Sequence, residues 1–292
     1  MGIVLLGPGV YTPTKVITNQ DLEKIVNTSD EWIKTRTGIS ERRISLDIDT
    51  KEMGARAALD LVDNILGLTE PIDEIIFATN RHVRGEFPAH ASYVATALDI
   101  QEGRNTRISD TGAGCTGLIY AISTAYDRIY NPKNKVNQVL VVGSERLTDM
   151  TDYSDRDTCV LFGDGAGAYL VKRDEEIEEG IINSTLGGES DVGNAEWPNG
   201  YLTTKEKEGS KLRLSSEGNF ELYKHTQEYL IMNGKEVFKF ATRVMRKAVH
   251  DVLDGTKYSL EDVDMIIPHG ANMRIIKAAN EGLVDKGFKG VI

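Results

Sequence analysis

The sequence predicts a layered α/β fold, in which strands that are buried on both faces alternate with helices. Short apolar runs rich in valine and isoleucine alternate with segments of helical periodicity along the chain. These runs are apolar at consecutive positions, which is typical of strands covered by helices on both sides. A weak internal repeat is the second observation, because it indicates that one helix–strand unit is used twice. We therefore expect two similar halves, residues 1–171 and residues 172–292.

The repeat consists of two matching heptads, residues 72–78 and 263–269, which share their order of apolar and acidic residues. A single apolar heptad can match by chance, but a helical segment precedes each copy, over residues 52–66 and 237–253. This combination favours duplication. The later elements of the first half have no counterparts after the second heptad, so the second half is expected to be truncated at its end.

Further elements follow in order between the two copies. A strand is predicted to end near Asp110, and a helix is predicted over residues 116–129, where apolar residues recur at spacings of three and four. Residues 139–143 form another apolar strand, and residues 168–171 continue as strand behind a glycine-rich segment. Residues 189–214 are polar and contain glycine, so we interpret them as an excursion from the core.

Composition and charge exclude several classes of protein. Of the 292 residues, 40% are hydrophobic and 27% are charged, which is the balance of a globular chain. The net charge of −11 argues against binding to nucleic acid, which normally requires a basic excess. Only two cysteines occur, so a reducing compartment is the default. No signal peptide and no apolar run of membrane-spanning length is present, so the predicted location is the cytoplasm.

Cys115 is the first candidate for chemistry. It follows a strand and a glycine-rich turn, and a helix begins directly behind it. A helix N-terminus favours an anion, so this setting is expected to lower the pKa of the thiol and to make it a nucleophile. The alternative is that Cys115 is a small buried hydrophobic residue. Cys159 lies in an apolar run and is assigned to core packing.

His269 is the second candidate, because it closes the second copy of the repeated strand and stands beside a glycine. A histidine in this position can act as an acid, a base or a hydrogen-bond donor to an oxyanion. The alternative is an ordinary loop histidine. The remaining histidines lack such a setting and are interpreted as structural: His82, His90, His225 and His250. No spacing typical of a metal site is present.

Two further patterns have more than one interpretation. Residues 163–167 are rich in glycine, but no helix pattern follows them, so we interpret them as a tight turn or a close approach between strands rather than a phosphate-binding loop. Residues 235–247 carry basic side chains at helical spacings. This basic face is either a solvated surface or a docking site for an acidic partner. Its residues are Lys235, Lys239, Arg243, Arg246 and Lys247.

Five motifs in the same order along the chain resemble the β-ketoacyl-acyl carrier protein synthase III family, which belongs to the thiolase-like superfamily. The resemblance covers nearly the whole chain. The motifs are residues 28–39 (TSDEWIKTRTGI), residues 108–118 around Cys115, residues 155–168, residues 233–239 and residues 268–276. The resemblance implies a five-layered α-β-α-β-α fold of two duplicated thiolase-like halves.

The resemblance also implies an acyltransferase reaction that initiates fatty acid synthesis. Cys115 would take an acyl group from acyl-CoA, and malonyl-acyl carrier protein would then lose CO₂ and attack the acyl-cysteine to give β-ketoacyl-acyl carrier protein. His269 would stabilise the thioester enolate that forms in this step. Acyl-CoA enters as a substrate, so the resemblance implies no cofactor and no metal. The family is homodimeric, and neither nucleic acid nor a membrane is an expected partner.

Further residues take expected roles from their match to the family motifs. The residues that match the CoA contacts are Trp32, Arg36, Arg156, Asn272 and Thr28. An indole and two guanidinium groups suit a flat adenine ring with nearby phosphates. The residues expected at the acyl pocket are Phe162 and Phe87. Those expected to face the acidic carrier protein are Lys239, Arg274 and Arg243, which favours the docking interpretation of the basic helix face.

Two features depart from the family pattern. Gly270 stands where the family usually has glutamine, and the family's third catalytic residue, the asparagine of a later Gly-Asn-Thr-Ser motif, does not occur before Ile292. Loss of one of two polarising donors lowers a rate by ~10²–10³. Two alternatives therefore stay open. One is a catalytically incomplete or truncated relative that binds acyl-CoA or carrier protein. The other is a ketosynthase of secondary metabolism with a different starter, which the unusual residues 80–87 favour.

Overall fold

The computed structural model describes residues 2–66, 71–80, 89–100, 105–188 and 200–292. The chain divides into two compact units, and each is made of several chain segments. Unit 1 contains Met1–Lys15, Arg43–Arg146 and Asp164–Ser184, and unit 2 contains Val16–Arg42, Leu147–Gly163 and Thr185–Ile292. The two duplicated halves with a boundary after residue 171 remain a prediction, since these compact units alternate along the chain.

The described residues alternate between strands and helices, as the sequence predicts. The strands are β1 (Gly2–Tyr11), β2 (Lys15–Thr18), β3 (Glu41–Ile44), β4 (Glu74–Ala78), β5 (Arg107–Thr111), β6 (Gln138–Arg146), β7 (Asp164–Asp174), β8 (Leu202–Leu214) and β9 (Phe220–Met232). The α-helices are α1 (Asn19–Glu23), α2 (Asp30–Thr37), α3 (Thr50–Leu61), α4 (His90–Ala97), α5 (Gly117–Tyr130), α6 (Arg156–Cys159), α7 (Gly234–Leu253) and α8 (Met273–Val284). A π-helical turn, Val62–Leu66, continues α3, and 3-10 turns cover Pro132–Asn134, Leu147–Met150 and Leu260–Asp262.

Unit 1 is built on a mixed five-stranded sheet with the strand order β1-β7-β6-β4-β5. Strand β4 is parallel to both β5 and β6, whereas β7 runs antiparallel to β6 and β1. All five residues of β4 are buried, which confirms the prediction of a strand covered on both faces. Ile75 and Phe77 pack with α3 and α4, and Ile76 and Ala78 pack with α5. Helices therefore form a layer on each side of this sheet.

Close packing of α3 on the sheet depends on a glycine in the middle of the helix. A Cβ atom at Gly54 would lie 2.4 Å from Cε2 of Phe77, a separation that no side chain can occupy. The helix begins at Asp49, whose carboxylate accepts a hydrogen bond from the backbone N–H of Glu52 at 3.0 Å. The predicted helix at residues 52–66 is thereby confirmed, with its last turn in the π form.

The glycine-rich segment after residue 162 belongs to the sheet itself. Strand β7 begins at Asp164, and its residues Ala166 and Gly167 pair with Tyr11 and Val10 of β1. No helix opens behind this segment. The interpretation as a close approach between strands is therefore confirmed.

Unit 2 contains a long antiparallel pair of strands, in which β8 and β9 are aligned over Leu202–Leu214 and Phe220–Met232. The buried side chain of Asp152 holds β8 against the segment before α6. Its carboxylate accepts from Lys207 Nζ at 2.7 Å and from the backbone N–H of Ser210 at 2.9 Å. The described part of the predicted excursion at residues 189–214 forms β8, which lies outside the five-stranded sheet and buries Ser210 and Leu212; residues 189–199 lie outside the described part.

The second copy of the repeat is confirmed as a helix but wrong as a strand. Helix α7 covers the predicted residues 237–253. Residues 263–269 form only an isolated bridge between Met265 and Val291. A strand needs a neighbour along its length, and among the described residues this bridge consists of two backbone hydrogen bonds, from Ile266 N–H to Val291 O at 2.8 Å and from Val291 N–H to Asp264 O at 2.9 Å.

Among the residues that the structure describes, no helix combines the length and the apolar character needed to cross a bilayer. The helices of this part instead alternate apolar and polar faces, as α5 and α7 show.

Candidate functional site

Cys115 lies in unit 1, in the turn between β5 and α5, at the carboxyl edge of the parallel strands β4, β5 and β6. The hydroxyl of Thr116 donates to the carbonyl oxygen of Ala113 at 2.7 Å and closes this turn. Gly114 has a φ of +59°, a backbone conformation that side-chain-bearing residues rarely adopt. Cys115 is exposed, so the predicted strand–turn–helix setting is confirmed and the alternative of a buried core residue is wrong.

The thiol of Cys115 differs from the prediction in its acidity. Although the residue is exposed, the protein around its sulfur raises the pKa of the thiol, and the Glu145 carboxylate at the end of β6 raises it further. The backbone N–H of Cys115 opposes these effects only in part. Helix α5 begins two residues later, after the cap residue Thr116, so the thiol precedes the first helical turn. The expectation of a lowered pKa was therefore wrong.

A buried histidine–carboxylate pair lies near the same edge of the sheet. His90 is 5% exposed; its Nδ1 is 2.9 Å from Asp110, and its ring stacks on Phe77 with centroids 5.2 Å apart. Asp110 also accepts from the backbone N–H groups of His90 and Ala91 at 2.8 and 3.0 Å, and so caps α4. Burial tends to raise the pKa of Asp110, but these hydrogen bonds lower it overall. The structural interpretation of His90 fits this arrangement.

His269 lies in unit 2, in the loop between the Met265 bridge and α8. The strand end predicted for it is absent, because residues 263–269 do not form a strand. Its carbonyl oxygen accepts from the backbone N–H of Ala271 at 2.9 Å. His269 is an exposed residue, yet the protein around its imidazole lowers the pKa of the ring below its ordinary value of 6.5. The ring is therefore neutral at neutral pH and offers one N–H donor.

Trp32 and Arg156 contact each other directly in unit 2. The Cζ atom of Arg156 lies 3.9 Å from the centroid of the Trp32 ring, a cation–π contact. Trp32 stands in the first turn of α2, where its backbone N–H donates to the cap residue Ser29 at 3.2 Å. Arg156 is the first residue of α6, which is capped by Asp155. These two predicted CoA residues are brought together although they lie 124 positions apart in the sequence (156 − 32).

The other predicted CoA residues lie on the same unit. Arg36 is exposed one turn after Trp32 on α2. The hydroxyl oxygen of Thr28 is buried and, among the described residues, accepts or donates no hydrogen bond. Asn272 caps α8, because its Oδ1 accepts from the backbone N–H of Arg274 at 2.9 Å. Its carbonyl end is thus already used by the helix.

Helices α2 and α8 approach closely at a glycine. Gly38 ends α2 with a φ of +79°, and a Cβ atom there would lie 2.8 Å from Cβ of Met273. This contact places the helix that carries Trp32 beside the helix that carries Arg274.

The acyl-pocket residues are described only in part. Phe162 is half-buried, two residues after Val160, which ends α6. Phe87 lies outside the described residues. Cys159, at the end of α6, is fully buried, and burial raises the pKa of its thiol to about 12. Its assignment to core packing is confirmed.

The basic residues predicted to face a carrier protein are all exposed. Lys239 and Arg243 lie one turn apart on α7, and Lys239 pairs with Glu236 at 2.7 Å. Arg274 of α8 holds its guanidinium 5.6 Å from the centroid of Phe238, the neighbour of Lys239. Lys239 and Arg243 therefore share one side of α7, and Arg274 of α8 reaches α7 at Phe238. In the described parts of the chain, no cluster of three or more histidine, cysteine, aspartate or glutamate side chains could hold a metal ion.

Several of these groups could not be found from the sequence. Glu145 acts on Cys115 because β6 lies beside β4, a neighbour relation that no local pattern records. Asp110 gives a partial signal, since it is a carboxylate at the end of a predicted strand. Arg42 and Asn19, which contact each other in unit 2, carried no sequence signal.

Known proteins resemble this chain over nearly its whole length. Residues 109–190, which include Cys115, match the family described as 3-oxoacyl-[acyl-carrier-protein (ACP)] synthase III. The chain is 41% identical to the beta-ketoacyl-[acyl-carrier-protein] synthase III of Oceanobacillus iheyensis, over 97% of this chain and 80% of that protein. It is 39% identical to the protein of the same name from Clostridium acetobutylicum, over 98% of this chain and 83% of that protein.

A solved structure gives the same result for the fold. The crystal structure of the beta-ketoacyl-[acyl carrier protein] synthase III from Thermus thermophilus matches with a TM-score of 0.78 and 35% sequence identity, over 100% of this chain and 83% of that one. The exposed cysteine ahead of α5 lies within the part of the chain that matches the family description. The chain therefore belongs to the β-ketoacyl-[acyl-carrier-protein] synthase III family of condensing acyltransferases and has its thiolase-like α/β fold.

Proposed function

We propose that this chain transfers an acyl group from acyl-CoA to Cys115 and condenses it with malonyl-acyl carrier protein, as an initiating condensing enzyme of fatty acid synthesis. The observation that carries the proposal is the exposed thiol in the turn before α5, inside the segment that matches the family. The carboxyl edge of parallel strands is where open α/β sheets bind ligands, which supports the same position.

In the first half-reaction, the sulfur of Cys115 attacks the thioester carbonyl carbon of acyl-CoA. A carbon–sulfur bond to Cys115 forms, the bond to CoA breaks, and the thiol proton ends on the departing CoA thiolate. The raised pKa of Cys115 means that the thiol is protonated at neutral pH, so the proton must be removed as the sulfur attacks.

In the second half-reaction, the malonyl group loses CO₂, and the electron pair of the broken bond forms a thioester enolate. We assign His269 to this step, because a neutral imidazole can donate its N–H to the enolate oxygen. The enolate carbon then attacks the acyl-cysteine, and the released Cys115 thiolate takes up a proton. The product is β-ketoacyl-acyl carrier protein.

For the adenine end of CoA, we propose Trp32, Arg36 and Arg156. An aromatic ring that stacks on Trp32 needs the position that the Arg156 guanidinium now occupies, since only 3.9 Å separates them. Arg156 would therefore move outward by about the thickness of one ring, ~3.5 Å, and cover the adenine from the other side. Thr28 and Asn272 are proposed to lie along the rest of the CoA chain, and Phe162 and Phe87 along the acyl group.

The carrier protein is proposed to dock on Lys239, Arg243 and Arg274. These exposed cations would pair with an acidic partner, although the whole chain carries a net charge of −11. A cytoplasmic location is proposed, and the two free thiols of Cys115 and Cys159 suit a reducing compartment.

We also propose a homodimer. Strand β5 is an edge of the five-stranded sheet, and Ile108 on it is 41% exposed. An unpaired strand edge with an exposed apolar side chain offers a template for pairing, which a second copy of the chain would satisfy.

Mass measurement of the intact protein tests the proposal. Incubation with acetyl-CoA should add one acetyl group to Cys115, and a Cys115→Ser variant should gain none at this position. Subsequent addition of malonyl-acyl carrier protein should remove the group and produce acetoacetyl-acyl carrier protein. A folded chain that gains no adduct from acyl donors of graded length would contradict the enzyme proposal and favour a relative that only binds these ligands. Adducts from long or branched donors alone would instead point to a different starter.

A further inference from the structure

A buried arginine connects the two helices that carry Trp32 and Arg156. Arg42 of β3 is only 4% exposed, and its guanidinium makes no ion pair with a carboxylate within the described segments. Its Nε and Nη2 donate to the carbonyl oxygen of Val160 at 3.1 and 2.6 Å, and its Nη1 donates to Oδ1 of Asn19. Burial lowers the pKa of Arg42 to about 10, so the group is still a cation at neutral pH.

Asn19 continues this connection toward α2. Its Nδ2 donates to Oδ1 of Asp30 at 2.8 Å and to the carbonyl oxygen of Ile39 at 2.9 Å. Asp30 is the first residue of α2, and Ile39 follows the glycine that ends it. One amide side chain therefore holds both ends of the helix that carries Trp32.

At its other end, the connection reaches α6. Val160 is the C-terminal cap of α6, whose first residue is Arg156. A four-residue helix has almost no intrinsic stability, so contacts from outside must set its direction. A buried cation at its C-terminal carbonyl is a favourable contact of this kind. Arg42 thus fixes α6 at its C-terminal end. Asn19 accepts a hydrogen bond from the same guanidinium and donates to residues at both ends of α2, so it connects Arg42 to that helix.

We infer that Arg42 and Asn19 are positioning residues, which hold α2 and α6 at the separation where the Trp32 indole and the Arg156 guanidinium can enclose an adenine ring. The inference rests on the proposed CoA binding by Trp32 and Arg156. Insertion of a ring between these side chains pushes them apart, and a rigid link between their helices directs that movement to the Arg156 side chain rather than to the backbone. Neither Arg42 nor Asn19 needs to touch CoA.

The experiment compares two acyl donors that differ only in the adenine nucleotide, acetyl-CoA and acetyl-pantetheine. Acylation of Cys115 is followed by mass with each donor in Arg42→Met and Asn19→Ala variants. We expect kcat/KM for acetyl-CoA to fall about tenfold in each, because a small misplacement of a binding group already costs up to ~10²-fold. The value for acetyl-pantetheine should stay within about twofold of wild type. The losses in kcat/KM of the two variants should not add in the double variant, since both substitutions remove the same hydrogen bond between Arg42 and Asn19.

A matched control separates positioning from stability. Gln138 of β6 is 3% exposed and donates to the carbonyl oxygen of Pro71 at 2.6 Å, so Gln138→Met also removes a hydrogen bond from a buried side chain to a carbonyl. This variant should have a lower melting temperature than wild type, but its ratio of kcat/KM for acetyl-CoA to kcat/KM for acetyl-pantetheine should be unchanged. If Arg42→Met fails to fold, the Asn19→Ala variant still tests the inference, because it keeps the two hydrogen bonds from Arg42 to Val160.

Equal losses with both donors in Arg42→Met and Asn19→Ala would overturn the inference and leave these residues a purely structural role. Trp32→Ala and Arg156→Ala identify a different failure. If they also leave the donor ratio unchanged, the proposed CoA contacts themselves are wrong. If they reduce the ratio and the Arg42 and Asn19 variants do not, only the positioning inference is contradicted.

Discussion

At the scale of single residues, the reactivity of Cys115 depends on its neighbours more than on the helix behind it. The protein around the sulfur and the Glu145 carboxylate both disfavour the thiolate. Glu145 is held in place because its Oε1 accepts from the backbone N–H of Asn80 at 2.5 Å. An amide at position 145 can keep this hydrogen bond and lose the charge.

We expect Glu145→Gln to make Cys115 more reactive. Removal of the negative charge lowers the pKa of the thiol, and a lower pKa leaves more thiolate at pH 8. The rate of alkylation by iodoacetamide should rise about threefold, since one pKa unit corresponds to at most tenfold. Cys159 serves as an internal control, because its buried thiol reacts only if the chain opens. A rate equal to that of wild type would show that Glu145 does not act on Cys115.

His269 gives the second prediction at this scale. His269→Ala should reduce condensation with malonyl-acyl carrier protein by ~10²–10³ and leave acylation of Cys115 intact, because only the enolate needs the donor. In the wild-type protein, the lowered pKa keeps the imidazole neutral as pH falls through 6.5, so the condensation rate should show no inflection from His269 at or above pH 6.5. Rate measurements between pH 5 and 8 check this, and an inflection above 6.5 would contradict it.

These residue-level features show what a sequence can and cannot indicate. Cys115 and His269 were found as candidates because each stands beside glycine after an apolar run. The direction of the pKa of Cys115 was predicted wrongly, since the effect of Glu145 arises from strand order in space. Arg42 was missed for the same reason, because its partner Val160 lies 118 positions away.

At the scale of elements, one carboxylate ties β8 to the segment before α6. The side chain of Asp152 is 3% exposed, and that of its partner Lys207 is 32% exposed. Burial tends to raise the pKa of Asp152, but hydrogen bonds from Lys207, Ser154 and Ser210 lower it overall. A depressed pKa in the folded state stabilises the protein above the unfolded value, near 3.8, and this contribution is lost as pH falls through the folded pKa.

We therefore expect Asp152→Asn to lower the free energy of unfolding by about 1.5–3 kcal/mol at pH 7, the range for hydrogen bonds to charged groups. The difference from wild type should begin to shrink below about pH 4, because the unfolded chain then takes up a proton at Asp152 while the folded carboxylate stays charged until its lower pKa is reached. Urea denaturation at pH 7 and pH 3 measures both values. The exposed pair of Asp251 and Lys247 is the control, and Asp251→Asn should cost less than about 0.5 kcal/mol. If the loss in free energy of unfolding were the same at both pH values, Asp152 would stabilise the fold through its packing and not through its charge.

The internal repeat predicted two helices and two strands. Both helices are present, but only the first of the two strands forms. Periodicity is a local property, so α3 and α7 follow from their own residues. A strand exists only through its neighbours. Residues 72–78 contain β4, which lies between β5 and β6, whereas residues 263–269 meet a single bridge partner. The same heptad pattern therefore gives a central strand in one place and extended chain in the other.

At the scale of the whole molecule, the proposed homodimer makes a prediction about the two edges of one sheet. Ile108→Lys on β5 should convert the dimer to a monomer, because a charge at an edge strand opposes pairing with another chain. Val10 on β1, the opposite edge strand, is 54% exposed, so Val10→Lys is a matched control that should leave the assembly unchanged. Sedimentation velocity distinguishes the outcomes, and a dimer that survives Ile108→Lys would place the interface elsewhere.

The pairing of β1 with β7 also has a consequence for synthesis on the ribosome. Gly2 is aligned with Asp174, so the first strand to emerge finds its partner only after more than half of the chain has been made. At about 5–20 residues per second, that interval is on the order of 10–30 s. During this time, the apolar N-terminal strand has no sheet to join. This apolar segment therefore stays without its strand partner, and open to contact with other chains, until residue 174 is free.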